Sequence, residues 1–302
     1  MTERCTIGLI GFGEVGQTFG KAIVEHGARV LAYDVAVSQL EHGGALQERA
    51  RECGVQLVSI EEVTGAADLI LSLVTTQVAR AVAERCAPLL KGGSIYIDAN
   101  STSPPTKLEI QSIIEAQGGC FVEAAILGAV GATGAQTRAL LAGESAEYAA
   151  ETLCGLGLAF EAFSEQVGRA STFKMLRSVF SKGLEVILIE MLIAGEKVGI
   201  ADELWNDITA FMDAKAFGTI AANWITSHAV AHERRYHEMQ QVRETLLSLS
   251  VDPLLTQATE SFFERSGTLG LEHLFDEKPS EWKAVVVAMM QALEGGRETS
   301  DG

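Results

Sequence analysis

Gly11, Gly13 and Gly16 stand in the segment TIGLIGFGEVG, Thr6–Gly16, spaced as G-x-G-x-x-G. A strand-like apolar run precedes them and a helix-like run follows. Each glycine then has a physical task. Gly11 allows a tight turn, Gly13 lets the backbone approach a pyrophosphate, and Gly16 permits close helix–sheet packing, with the helix N-terminus facing the phosphates. The segment Gly11-Phe12-Gly13-Glu14-Val15-Gly16 is therefore the candidate cofactor loop. Asp34 closes the next strand-like run, 18 residues after Gly16. A carboxylate there can accept both hydroxyls of an adenosine ribose. It would repel a ribose 2′-phosphate, and Val35-Ala36-Val37-Ser38-Gln39 holds no Arg or Lys to bind one. The expected cofactor is NAD, in preference to NADP. The competing readings are a glycine turn without a ligand, and a capping or turn role for Asp34.

Other polar residues fall where a ligand would lie. Asn100 and Ser101 follow the C-terminal end of a strand-like run, the edge at which open α/β sheets bind ligands. Ser101 is a candidate partner for a substrate carboxylate or hydroxyl, and Asn100 for the nicotinamide ribose. Helix capping ahead of Pro104-Pro105 is the alternative. Val74 and Thr75, with Thr76, end another run and are candidates to line the cofactor site. Gly128 could present a backbone N–H to an acid group. Glu123 reads as a strand-edge carboxylate in preference to a substrate ligand. Lys174, Ser178, Ser181 and Glu185 recur at i, i+4, i+7 and i+11, a polar stripe on an otherwise apolar helix. His228 and His232 have a spacing that can ligate a metal. Neither HExxH nor a nearby cysteine accompanies them, so no metal is expected. With Arg234, Arg235 and His237 they read as a solvated helix face or as an anion-binding patch.

The elements that must position these residues follow from periodicity. Strand-like runs are Thr6–Ile10, Arg29–Tyr33, Gln56–Val58, Asp68–Val74, Ser94–Asp98, Phe121–Ala125 and Arg138–Ala142. They are continuously apolar, as strands buried on both faces of a parallel sheet are. Helix-like stretches lie between them at Val15–His26, Thr76–Leu90 and Ser103–Gln117. This alternation predicts a Rossmann-type, doubly wound α/β domain over residues 1–165. Residues 166–302 read as an all-helical domain for substrate binding and dimerisation, opened by a long interdomain helix. Its helices are expected at Arg169–Val198, Glu203–Asn223, Ala231–Leu249, Pro253–Arg265 and Glu281–Leu293. Phe180–Ile193 is apolar on nearly every face and is expected to be a buried core helix. The polar tail Glu294–Gly302 is expected to fray.

Composition narrows the partners. The chain has 302 residues and a formal net charge of -17. Residues 1–165 carry 10 basic and 20 acidic groups, and the remainder 13 and 20, so neither half is a basic module. Nucleic acid and anionic membranes are therefore not expected partners. Anionic small molecules must be held by local features, because the global field does not steer them. The five cysteines are odd in number and lack C-x-x-C spacing, which favours a reducing, cytoplasmic location. MTERCTIGLI runs straight into a strand, so no signal peptide is expected. Charges interrupt the most apolar stretch, Leu184–Ile200, so no membrane span is expected.

Four motifs carry a family resemblance. The first is GLIGFGEVG. The second is Asp98-Ala99-Asn100-Ser101-Thr102-Ser103-Pro104, similar to D-x-S-T-x-x-P. The third is Glu123-Ala124-Ala125-Ile126-Leu127-Gly128-Ala129, in register with D-A-P-V-S-G-G and followed by Gly143. The fourth runs from Gly168 to Ser178 and resembles G-x-x-x-x-x-K-x-x-x-N. Together they resemble the β-hydroxyacid dehydrogenases, the group that includes 6-phosphogluconate and 3-hydroxyisobutyrate dehydrogenases. The second half resembles the less characterised C-terminal domain of some 6-phosphogluconate-dehydrogenase-like proteins.

The resemblance implies an NAD-dependent oxidation of a small, anionic hydroxy acid, a sugar acid being one candidate, with Lys174 as general acid/base. A free lysine titrates near ~10.4. Desolvation, or nearby Arg169 or Arg177, would bring it into a useful range. Candidate substrate ligands are Ser101, Gly128, Arg177, Ser178 and His237. The departures are Leu127 in place of the substrate-segment Ser, Ala129 for Gly, Ser178 for Asn, and His237-Glu238 for Lys-Asp. They leave the hydride machinery in place and rebuild the pocket. The alternatives are an imine or oxime reductase on the same scaffold, and a non-catalytic NAD-binding sensor. A homo-oligomer, a dimer, is expected from the resemblance and from the apolar long helix.

Overall fold

The computed structural model describes residues 5–38 and 43–298, with side chains described up to residue 295. Gln39 and the end of the polar tail, 299–302, lie outside the described residues. Two compact units divide the chain between Val179 and Phe180. In the first, strands β1 (Thr6–Ile10), β2 (Arg29–Tyr33), β3 (Gln56–Leu57), β4 (Leu69–Ser72), β5 (Ile95–Asp98), β6 (Cys120–Ile126), β7 (Ala139–Ala142) and β8 (Phe160–Ser164) form one sheet. Its order is β3-β2-β1-β4-β5-β6-β7-β8. The helices of this unit are α1 (Glu14–Glu25), α2 (Gly43–Cys53), α3 (Ile60–Ala66), α4 (Ala79–Cys86), α5 (Pro104–Glu115), α6 (Val130–Thr133) and α7 (Ala146–Gly155). This is the expected doubly wound α/β architecture.

The continuous apolar runs are explained by two core layers. Ile7 and Leu9 enter one layer while Ile10 enters the other. Leu69 and Leu71 likewise oppose Ile70, and Ile95 and Ile97 oppose Tyr96. Each such buried aliphatic side chain contributes roughly 1.5–3 kcal/mol. Strand order reverses between β1 and β4, so the chain leaves their C-terminal ends in opposite directions. A crevice opens at that point.

The structure differs from the sequence reading in several elements. β6 and β7 pair antiparallel, Glu123 opposite Ala142, so the sheet is parallel only in the main. β8 is an addition: only Phe160 of Phe160–Ser164 is buried, so this edge strand lacks the apolar run of its neighbours. Helices α2, α3, α6 and α7 are further additions. The stretch Thr76–Leu90 is helical only from Ala79, because residues 75–78 form a turn closed by Val78 N donating to Thr75 O, 3.1 Å.

A helix α8 (Arg169–Val198) begins in the first unit and continues into the second, which also contains α9 (Ala201–Asp213), α10 (Phe217–Ser248), α11 (Leu254–Gly267) and α12 (Trp282–Glu298). The expected helix over Glu203–Asn223 is thus two helices, divided at residues 214–216 with neither Gly nor Pro to mark the break. The expectation of a buried core helix over Phe180–Ile193 is overturned. Phe180 is 52% exposed, Ile187 47% and Ile189 50%, and no residue of that segment is buried. Apolarity all round the helix states that cover is needed, and one chain does not supply it. No helix among the described residues is long and apolar enough to cross a membrane.

Candidate active site

The loop after β1 has the geometry its glycines require. Gly11 has φ +102°, and a Cβ there would lie 2.5 Å from Leu73 O. Gly11 N donates to Tyr33 O, 2.8 Å. Gly13 caps α1, and a Cβ on it would meet nothing within 4 Å. Backbone N–H groups at this helix start are thus open to an anion. The Asp34 carboxylate holds the loop from the side: Oδ2 accepts from Phe12 N at 2.7 Å and Oδ1 from Ala36 N at 2.9 Å. The Phe12 ring itself is in the core. A cavity of about 450 Å³ adjoins this loop, lined by Gly13, Gln17, Thr18, Asp34, Ala36 and Arg49. Arg49 comes from α2, an element absent from the sequence reading.

A second cavity, about 570 Å³, lies at the C-terminal ends of β4, β5 and β6. Glu14, Val15, Val74, Thr75, Thr76, Asn100, Ser101, Gly128 and Lys174 all line it. The Lys174 Nζ donates to Ser101 Oγ at 2.6 Å. Burial, and next the charge of Lys107, hold the Lys174 amine below the ordinary lysine range. Two fixed points place this amine. Behind Ser101, Lys107 and Asp98 form an ion pair at 2.8 Å, each side chain 1% exposed. At the start of α8, Glu123 Oε1 accepts from Gly168 N at 2.7 Å and Ala170 N at 2.9 Å. A carboxylate at a helix N-terminus satisfies orphan donors and favours the dipole. Glu123 is fully buried, so it is no strand-edge group. It anchors the helix that carries Lys174.

Asn100 is 4% exposed, and its Nδ2 donates to Ser72 Oγ at 3.0 Å and to Asp98 Oδ1. Its Oδ1 is buried with no hydrogen-bond partner among the described residues. The cap ahead of Pro104 is supplied by Ser103, which accepts from Thr106 N. Helix capping therefore does not account for Asn100 or Ser101. Leu127, at the position of the family's serine, packs against Ala125, Leu140, Ala142 and Ala170.

Arg177 and Ser178, in the same unit, do not line this cavity. Arg177 is exposed. Ser178 Oγ donates back to Lys174 O, 2.9 Å. Glu185 pairs with Lys182 at 3.1 Å, and Ser181 is exposed, so the polar stripe is a ligand-facing set only at Lys174. His237 lies on α10 in the second unit, where Nδ1 meets Gln240 Oε1 at 3.1 Å. The solvated-face reading of His228 and His232 is corrected: they are 8% and 6% exposed. His228 Nε2 meets Ser266 Oγ at 3.0 Å on α11, and burial, His232 and Arg235 push His228 down to about 4. Arg234 pairs with Glu238, and Arg235 donates to Ser227 Oγ and Trp224 O. A larger cavity in the second unit, about 710 Å³, is mainly apolar. Its Glu190 carboxylate is taken up by Leu255 N and Thr256 N and Oγ1.

Residues 6–156 match the family model of the NAD binding domain of 6-phosphogluconate dehydrogenase. The chain belongs to that NAD-binding family. Within this 6-phosphogluconate dehydrogenase-type family, residues 196–266 match a second model, the domain of unknown function DUF1932. A solved conserved protein of unknown function, described as structurally similar to 3-hydroxyacid dehydrogenases, is 30% identical with a TM-score of 0.60; the match covers 94% of this chain and 99% of that one. The mitochondrial 3-hydroxyisobutyrate dehydrogenase of Homo sapiens is 24% identical over 73% of this chain, which spans 62% of that relative's length. The imine reductase of Myxococcus stipitatus, solved with NADP+, is 16% identical with a TM-score of 0.73, covering 88% and 95% of the two chains. That last likeness is one of fold. The chain is thus a hydroxyacid-dehydrogenase-like member of the family with an NAD(P)-binding domain.

Proposed function

We propose that the protein is an NAD-dependent dehydrogenase that oxidises the hydroxyl of a small, anionic hydroxy acid, with Lys174 as general acid/base. The observation that carries this reading is the 2.6 Å contact of Lys174 Nζ with Ser101 Oγ inside a cavity at the C-terminal ends of the strands. The residues fit a dinucleotide: the Gly13 face is open, the Asp34 carboxylate borders the adjoining cavity, and the buried Asn100 Oδ1 has an unused lone pair. Gly11–Gly16 and Asp34 would hold the pyrophosphate and ribose, and Val74, Thr75 and Asn100 the nicotinamide end. A bound nicotinamide supplies the hydride acceptor.

The chain's own part is proton transfer and orientation. A neutral Lys174 amine takes the hydroxyl proton during oxidation, and the ammonium returns it during reduction. Ser101 orients that amine and offers a hydroxyl to the substrate. The Gly128 backbone faces the same cavity and can receive an acid group. Retention of Lys174 with a hydroxyl partner favours alcohol chemistry over imine or oxime reduction. Turnover itself separates both from a non-catalytic sensor. The odd cysteine count keeps a cytoplasmic location within the same proposal.

The cofactor choice has a direct test. Asp34 favours NAD by repelling a 2′-phosphate, whereas Arg49, on the same cavity, is the observation that favours NADP. Asp34→Ala is expected to weaken NAD binding about tenfold or more, the loss of a charged hydrogen bond to a hydroxyl. It should also narrow the gap to NADP. Arg49→Ala should change NAD affinity by about twofold at most, a rim charge being worth little. Titration of the three proteins with NADH and NADPH reads this out. A wild type that prefers NADPH contradicts the role given to Asp34.

We also propose a homodimer. The exposed apolar residues of α8, together with Trp205, Phe211 and Trp224 at 44–50% exposure, exceed the scattered surface apolars of a monomer. Sedimentation should give twice 32.2 kDa. A single-chain mass at micromolar concentration contradicts it.

A further inference from the structure

Lys107 is a lysine with an unusual place: 1% exposed, inside the first unit, under the turn that follows β5. Its ammonium has three donors, and the segment 98–100 takes all of them. They reach Asp98 Oδ2 at 2.8 Å, Asp98 O at 2.8 Å and Asn100 O at 2.7 Å. Two of the three acceptors are backbone carbonyls, so the contact shapes the turn as well as neutralising a carboxylate. The other Asp98 oxygen accepts from Asn100 N at 3.2 Å and from Asn100 Nδ2. Asn100 then reaches Ser72 on β4, and Ser101, the next residue, meets Lys174. A buried ion pair is seldom better for stability than an apolar pair of the same volume. Stability alone thus does not explain why Lys occupies this position.

We propose that Lys107 is a positioning residue of the cleft: from the core side it fixes the 98–101 turn, and through Ser101 the amine of Lys174. This rests on the reading of Lys174 as the acid/base. The charge of Lys107 acts in the same direction as burial, favouring the neutral Lys174 amine. Other charged groups around Lys174 are Asp98 behind the turn, Glu14 from α1 on the cavity wall, buried Glu123 under the first turn of α8, and exposed Arg169 and Arg177 on α8 itself.

Two variants of the full-length protein test this: Lys107→Met, and the neutral pair Asp98→Asn with Lys107→Met, which leaves no unpaired buried charge. The first readout is the rate at which Lys174 is acylated by an amine-reactive ester across pH, followed by peptide mass spectrometry. In Lys107→Met the apparent pKa of Lys174 should rise, because a positive charge beside it is lost. In the double variant the acylation rate at fixed pH should differ at least threefold from wild type. Turnover should fall at least tenfold there. If Lys107→Met does not fold, the double variant decides. A folded double variant with wild-type Lys174 acylation overturns the proposal. The acylation readout needs no substrate, so absence of turnover in the wild type would refute the dehydrogenase reading and leave the Lys107 test intact.

Discussion

Lys174→Ala is expected to lower kcat about 10²–10⁴-fold, the usual contribution of a positioned acid/base. NADH affinity should stay within about twofold, because the loop at Gly11–Gly16 and the Asp34 carboxylate belong to other elements. The pH dependence follows with a definite sign. Oxidation needs the neutral amine, so the wild-type rate should rise with pH as Lys174 loses its proton. Reduction needs the ammonium and should fall through the same ionisation. The midpoint should lie below the ~10.4 of free lysine, because burial and then Lys107 lower it. The variant should lose this limb altogether. A small primary amine added to the assay should restore part of the rate to Lys174→Ala.

Asp98→Ala should destabilise the first unit by about 3–5 kcal/mol. Removing one member of a buried pair leaves the other charged and unpaired, and that desolvation cost dominates. Here the loss also strands Asn100, whose N and Nδ2 both donate to Asp98 Oδ1. For a unit of this size the thermal midpoint should drop by roughly 10 °C. The neutral double variant, Asp98→Asn with Lys107→Met, should recover most of that loss, because neither member of the pair is left charged. Calorimetry of the single and double variants checks both statements. An Asp98→Ala midpoint within about 2 °C of wild type would mean that the pair is solvated in solution.

The residues legible in the sequence are those whose roles are imposed by adjacent backbone. Gly11 must turn, Gly13 must leave space and Asp34 must end a strand, and all three requirements are local. Lys174 and Ser101 are legible only through motifs, since 73 residues separate them and no periodicity joins them. The residues that hold the site in place are hidden from a sequence reading for a related reason. Glu123 meets the backbone of α8 at a separation of 47 residues. Lys107 carries no sign in the sequence of the turn that it holds. Arg49 sits on a helix with no strong apolar face. Burial of α8 fails as a prediction because an all-apolar helix reports a demand for cover and says nothing of what provides it. The edge strand β8 is missed because exposure removes the pattern by which strands are read.

The central claim is most directly tested by one measurement: NADH formation by the wild-type protein and by Lys174→Ala, with NAD and a panel of three-carbon to six-carbon hydroxy acids. The prediction is NADH formation by the wild type with at least one hydroxy acid, reduced at least 10²-fold in the variant, while both proteins bind NADH alike. NADH binding without turnover of any hydroxy acid, or equal turnover by the two proteins, would contradict it.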